Sequence, residues 1–316
     1  MKRQAICIGE IVLDVIFRDD QPFRANPGGS TFNSSISLGR AGIKTAMVGE
    51  TGADHTGEIV RNFLEDNGVD PSFIRVRSDM DTKVALAFLD EKNDATYTFL
   101  GRAHEGQDDF VHPEIHPDDI VLFGSYFAIA PINRPHIRKF LKDARDAGAV
   151  IYYDVNFRPS HARDLEALVP SILENIAAAD IVRCSTDDIQ TAFGTRDAEK
   201  VYGEIIAPRC RSFILTDGGG DIRLMDGDLR LRFPVEKVET VSTIGAGDSF
   251  NAGVAFGLIS GGIGKERISS GPGEGDWKRL INIAMSFSRD CCGSADNYVS
   301  KAFGLSLGFS SGFGLE

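Results

Sequence analysis

The chain has 316 residues, 42% of them apolar and 25% charged, with a net charge of −12 at neutral pH. That length allows one large or two ordinary domains and a substantial buried core. The acidic balance argues against nucleic acid and anionic membrane surfaces as partners, since both are held by clustered Lys and Arg. No apolar run reaches the ~18–20 residues of a membrane span.

The opening segment, Met1 to Glu10, turns acidic before an apolar signal segment forms, so a cytoplasmic location is the expectation. Five cysteines are too few and too scattered for a disulfide framework, and all five read as reduced thiols. The adjacent Cys291 and Cys292 suit neither a zinc knuckle nor an easy disulfide. His112 and His116 have the spacing of a helical metal pair, but Pro113 and Pro117 break a helix there and leave a surface loop.

Ala5 to Ile11 is an apolar run interrupted by Gly9 and Glu10 and predicts a first strand, which continues as alternation around Asp14 from Ile11 to Phe17. Asn26-Pro27-Gly28-Gly29 signals a turn; Thr31 to Gly39 then reads as a helix and Thr45 to Val48 as a strand. Glu58 to Asn67 is an amphipathic helix ending at Gly68. Lys83 to Leu89 and Ala95 to Leu100 alternate as two strands about a polar turn at 90–94. From residue 118 strand and helix alternate. The strands are Ile120 to Phe123, Ala149 to Tyr153, Ile181 to Cys184 and Ser212 to Thr216; the helices are Arg134 to Ala147 and Leu165 to Ala178. This order means a mostly parallel sheet covered on both faces, with the early hairpin segments in a separate small sheet. Ala252 to Ile259 reads as a further helix and Ser269 to Gly275 as a flexible loop, while Gly304 to Glu316 gives no assignment.

The most informative segment is Ser242-Thr-Ile-Gly-Ala-Gly-Asp-Ser-Phe250. Gly245, Ala246 and Gly247 let a ligand approach the backbone, and a small-residue turn opening a helix offers free N–H groups and the positive end of the helix dipole. Asp248 sits at the mouth of that turn. A carboxylate beside an anion site suits a base that takes the proton of an attacking hydroxyl during phosphoryl transfer. An Asp that only stabilises a helix N-terminus is the competing reading. Asn26 to Asn33 is the second such element. Gly28 and Gly29 permit close approach, and Asn33 both donates and accepts, which suits a vicinal diol, although a tight turn with an Asn near a helix start has the same letters.

Three further segments end predicted strands, where parallel sheets collect their ligands. Asp154 to Pro159 contains Asn156 and Arg158 and reads either as site lining or as a turn with an Arg salt bridge. Ser185-Thr-Asp-Asp188 reads as a cation-facing carboxylate, through water, or as a surface acidic helix start. Thr216 to Gly220, with Gly218, reads as a phosphate loop or as a β-turn. Neither a P-loop nor a G-x-G-x-x-G after the first strand is present.

Thr243, Gly245, Ala246, Gly247 and Asp248 resemble the Asp-Thr-x-Gly-Ala-Gly-Asp signature of the pfkB (ribokinase-like) sugar kinases. Gly28, Gly29, Asn33, Leu38, Gly39, Arg40 and Gly42 resemble the family's first signature. The resemblance spans roughly residues 4 to 300. It implies a ribokinase-like α/β fold over 1–316, with a central mostly parallel sheet flanked by helices and a small β-sheet lid from segments near 11–25 and 82–104. It also implies ATP-dependent phosphorylation of a sugar hydroxyl with Mg²⁺ on the phosphates. Asp248 would be the base and Gly245, Ala246 and Gly247 the anion hole. Asp14, Gly28, Gly29 and Asn33 would hold the sugar, with Asn156 and Arg158 near sugar or phosphates. Thr216 and Gly218 would contact ATP, Ser185 and Asp188 would place magnesium and phosphate, and Asn282 would help form the adenine pocket.

Three departures from the pattern bear on these implications. Ser242 replaces the Asp that helps bind a monovalent cation, which puts potassium activation in question. Ser185 and Asp188 replace an Asn and a Glu. Fructose is the favoured acceptor, a 2-keto-3-deoxy sugar acid the alternative, with ribose or nucleosides further options; a catalytically silent sugar-binding regulator is the reading from another class. Val84, Leu86, Phe88, Tyr97 and Phe99 alternate in the lid strands. A small ribbon is marginal in water by itself, and resembling kinases pair their lids, so a homodimer through this sheet is expected.

Overall fold

A computed structural model describes residues 3–89, 95–102, 108–158, 164–236 and 239–310. Fourteen strands are formed among these: β1 (Ala5–Ile8), β2 (Val12–Arg18), β3 (Gln21–Gly28), β4 (Thr45–Gly52), β5 (Val69–Asp70), β6 (Ile74–Arg77), β7 (Lys83–Leu89), β8 (Ala95–Leu100), β9 (Ile120–Gly124), β10 (Val150–Asp154), β11 (Ile181–Ser185), β12 (Ser212–Thr216), β13 (Ile222–Asp226) and β14 (Leu229–Phe233). The helices are α1 (Ser30–Arg40), α2 (His55–Glu65), α3 (Arg134–Asp146), α4 (Leu165–Ala178), α5 (Thr186–Phe193), α6 (Ala198–Val201), α7 (Ala246–Ser260), α8 (Lys265–Ser270), α9 (Glu274–Cys292) and α10 (Lys301–Ser310).

Strands β14-β13-β12-β11-β10-β9-β1-β4-β5 form one large sheet in that order, with β6 also paired to β4. The pairs from β12 through β5 are parallel, and only the β12–β13–β14 edge is antiparallel. Residues on alternate positions of each strand feed two cores, as expected of a sheet buried on both faces. On one face Cys7, Leu122, Tyr152 and Ile214 pack with Val254 and Leu258 of α7 and Trp277 and Leu280 of α9. On the other, Ile8, Phe123, Tyr153 and Phe213 pack with Ile137 and Phe140 of α3 and Ile172 and Ile176 of α4. The five cysteines are free. Four of them are buried, and burial holds their thiols above the ordinary range.

The small sheet runs β3-β2-β7-β8, with β2 and β7 parallel in the middle and an antiparallel strand on each side. Its base is fastened to the large domain. Thr82 N–H donates to Asp54 Oδ2 at 2.7 Å and Thr82 Oγ1 accepts from Gly52 N–H at 2.9 Å. Lys83 pairs with Glu10, and Arg24 with Asp296.

Some expectations need correction. Asn26 to Gly28 is no turn but the end of β3, because its backbone pairs with Val12 to Asp14; only Gly29, at φ 121°, turns the chain into α1. The expected loop at Ser269 to Gly275 shrinks to Gly271, Pro272 and Gly273 between α8 and α9. Glycine content had hidden α10, and the hairpin β13–β14 was not foreseen. The polar turn at 90–94, Pro159, the Tyr97 side chain and the terminal Ser311 to Glu316 lie outside the described residues.

Candidate active site

Of the sequence-predicted residues, Asp248, Asn33, Asp14 and Gly28 meet where the start of α7 faces α1 and the small sheet. Gly245 caps α7 at φ 78°, and a Cβ there would overlap the carbonyl of Asn297, so a non-glycine residue would have to open the turn. The first-turn N–H groups of Gly247 and Asp248 find no acceptor among the described residues, which leaves them with the positive end of the helix dipole. Of the three N–H groups expected to form an anion hole, that of Ala246 is instead turned to the Thr243 carbonyl at 3.2 Å.

Asp248 is gripped by the first turn of α1. Ser30 Oγ donates to its Oδ1 at 2.9 Å, Asn33 Nδ2 to its Oδ2 at 2.8 Å, and Ser34 Oγ to its carbonyl at 2.8 Å. Burial pushes the Asp248 carboxyl up to about 6; the Asn33 and Ser30 hydrogen bonds and the Arg158 charge oppose that rise, while Asp154 adds to it. Asn33 Oδ1 is buried with no protein partner, so the amide is anchored at one end and open at the other. Ser30 and Ser34 were missed in the sequence, where small hydroxyl residues in a helix carry no distinctive signal.

Asp14 stands opposite on β2, paired with Asn26 of β3. A Cβ on Gly28 would overlap its Oδ2, so glycine makes room for this carboxylate. Asn297 Nδ2 donates to the same oxygen at 3.4 Å, and Asn297 Oδ1 is buried without a partner. Burial, then the charge of Asp248, push the Asp14 carboxyl up to about 7, with Arg158 opposing. Arg158 itself is exposed, and Asn156 beside it adopts φ 36°, a left-handed conformation uncommon outside glycine.

Ser185 and Asp188 form a capping box at the start of α5. The surface acidic helix start considered for them is half right. It is a helix start, but Asp188 is only 6% exposed. Its Oδ1 accepts from Phe157 N–H at 2.8 Å and its Oδ2 from Ser185 N–H at 2.6 Å, so the carboxylate is turned into the fold and pins the 155–158 turn. No cluster of three or more His, Cys, Asp or Glu able to hold a metal occurs among the described residues. Thr216 is buried at the end of β12. Gly218 lies in an exposed turn closed by Gly220 N–H to Asp217 O at 2.6 Å, so the backbone there is the β-turn of the β12–β13 hairpin. Asn282 is exposed on α9, and no hydrogen bond joins it to the other site residues among the described ones. Ser242 Oγ accepts from Ile244 N–H at 3.2 Å.

With that geometry in place, comparison with known proteins decides the family. The model of the pfkB family carbohydrate kinases matches residues 2–271. The chain belongs to that family. It is a phosphotransferase acting on a hydroxyl of a carbohydrate, and its fold is ribokinase-like. An aminoimidazole riboside kinase from Salmonella typhimurium is 28% identical over 255 residues, covering 79% of each chain. A probable fructokinase-5 from Arabidopsis thaliana is 30% identical over 302 residues and 90% of each chain. A crystal structure of the Vibrio cholerae fructokinase with fructose, ADP and calcium superposes with a TM-score of 0.82 at 19% identity, over 96% of this chain and 98% of the other. No described helix is long and apolar enough to cross a membrane.

If Asp248 is the base of this family's reaction, Asp248→Asn keeps the shape and hydrogen-bond count of the site and removes the proton acceptor. We expect kcat to fall by ~10²-fold or more with sugar affinity little changed. Steady-state kinetics of purified enzyme decides it, and a variant within a few-fold of wild type refutes the role.

Proposed function

We propose that this kinase transfers the γ-phosphate of ATP to a small free sugar, with fructose the first candidate. The observation that carries the reading is a half-buried carboxylate, Asp248, held by two side-chain donors at the open N-terminus of α7. With its carboxyl at about 6 it is ionised at neutral pH yet basic enough to accept a proton. In this reading Asp248 takes the proton of the attacking hydroxyl. The Gly247 N–H and the α7 dipole meet the charge on the transferring group. Asp14, Gly29 and the free end of Asn33 position the sugar, with Gly28 making room for Asp14. Asn156 and Arg158 border sugar and phosphate. Thr216, Gly218 and Asn282 are assigned to the nucleotide, with Asn282 on the adenine side.

Magnesium, when bound, neutralises phosphate charge. The inward-facing Asp188 is a poor direct ligand, so we assign the ion chiefly to the phosphates and give Ser185 and Asp188 the task of fixing the 155–158 turn. Fructose is favoured by the fructokinase relatives. The aminoimidazole riboside kinase relative supports a second reading, in which the acceptor is a nucleoside-like riboside. A silent sugar-binding regulator fits poorly with a base so placed. Ser242, which brings no carboxylate to the cation position, points to weak potassium activation. ADP release measured over a panel of sugars and ribosides discriminates these readings: fructose should give the highest kcat/KM. A riboside ahead of fructose moves the enzyme to the second reading, and no stimulation by any of them overturns a small free sugar or riboside as the acceptor.

We also propose that two copies pair through the small sheet. Phe88 is 37% exposed on β7 and Leu100 50% on β8, and because Leu100 pairs with Val84 both lie on the face that Val84 and Leu86 share, apolar surface that a four-stranded sheet does not need for itself. Light scattering at micromolar concentration should give twice the chain mass; a fully active monomer removes the dimer.

A further inference from the structure

Arg183 is a cation inside a strand otherwise fit for the core. It follows Ile181 and Val182 on β11, both fully buried, and is itself only 8% exposed. Burying a guanidinium is unfavourable by several kcal/mol unless partners compensate it, and an apolar residue of similar volume often serves stability as well. Its partners are therefore informative. Nη1 donates to Asp154 Oδ1 at 3.0 Å and Nη2 to Thr216 Oγ1 at 2.6 Å, while Nε is buried without a partner. The other oxygen of Asp154 accepts from Asn251 Nδ2 at 2.7 Å, and Asn251 Oδ1 accepts from the Tyr152 hydroxyl at 3.0 Å. Asn251 lies on α7 one turn beyond Asp248. The guanidinium also lies against Gly247, where a Cβ would stand 3.0 Å from Nη2 and 3.2 Å from Nη1.

One side chain thus touches β10 through Asp154, β12 through Thr216 and the N-terminus of α7 at Gly247. These are the elements from which the kinase reading builds its phosphate cradle. We infer that Arg183 is a positioning residue for ATP: it locks Thr216 and the α7 N-terminus into one rigid cradle and supplies the fixed positive charge beneath it. The inference rests on that kinase reading. The charge is needed on electrostatic grounds. Asp154, Asp188, Asp248 and Asp14 all border this region, and Arg158, exposed at its mouth, is a second cation that acts on Asp14 and Asp248. Without Arg183 a polyanion would enter a strongly acidic site. Lysine would keep the charge but not the fork that holds Asp154 and Thr216 together.

The test pairs Arg183→Gln with Arg183→Lys and reads magnesium-ATP affinity by titration calorimetry, alongside kinetics and thermal unfolding. Losing one or two charged hydrogen bonds should weaken ATP binding and kcat/KM for ATP by about tenfold to a hundredfold, with KM for the sugar within about threefold of wild type. Arg183→Lys should recover part of the loss. If Arg183→Gln does not fold, Arg183→Lys decides, with ATP affinity reduced and the unfolding midpoint near wild type as the supporting result. Wild-type ATP affinity in a folded variant overturns the inference, and so does an equal loss for ATP and sugar, which marks a merely structural ion pair. Failure of the wild-type protein to bind ATP at all instead overturns the kinase reading.

Discussion

Everything at the site depends on holding an ionised carboxylate where water is scarce. Asp248 is joined to the start of α1 by contacts from Ser30 and Asn33 that bridge 218 and 215 residues of chain. Two donors and a helix dipole favour the charged form, and burial opposes it. The balance leaves the group poised near neutrality, where a base is most useful. The same need explains why α1 is rich in small hydroxyl residues. Ser34 and Ser37 are fully buried, and they bond to the Asp248 carbonyl and the Ser249 hydroxyl on α7. An apolar α1 would pack more simply but would leave Asp248 without donors.

The second constraint is the gathering of charge at strand ends. A parallel sheet leaves its carboxyl-end loops free to carry polar groups, while its interior stays apolar. Here β10 contributes Asp154, β11 Arg183 and β12 Thr216, each bonded to its neighbour, so the rim of the sheet is a hydrogen-bonded row rather than a set of separate loops. Asn251 ties that row to α7. The small sheet supplies Asp14 from the opposite side and is itself joined to the body by short polar contacts at Thr82 and by the Arg24–Asp296 pair.

Much of this was legible in the sequence because the strongest signals are local. Strands β7 through β12 announce themselves by composition, and the glycines at 28 and 245 mark places where a side chain would collide with Asp14 or Asn297. The remainder depends on partners far away in sequence. Nothing local distinguishes Asp188 as a buried cap from Asp188 as a surface carboxylate; the difference lies in Phe157 N–H, 31 residues distant. Arg183 was silent for the same reason, although a lone cation at the end of an apolar strand is the signal that could have flagged it. Gly-rich α10 and the β3 strand across Pro27 show tertiary packing and strand pairing overriding local propensity.

The pH dependence of kcat/KM for the sugar tests the base most directly, since it reports ionisation in the free enzyme. Asp248 must be deprotonated to act, so activity should be level at mildly alkaline pH and fall on acidification through neutrality. Asp248 at about 6 and Asp14 at about 7 influence one another, so the acid limb belongs to the pair and should lie in that window. Its loss in Asp248→Asn would complete the assignment. A profile that stays level down to the ordinary carboxylate range of about 4, or one that rises on acidification, would contradict this half-buried carboxylate acting as the base.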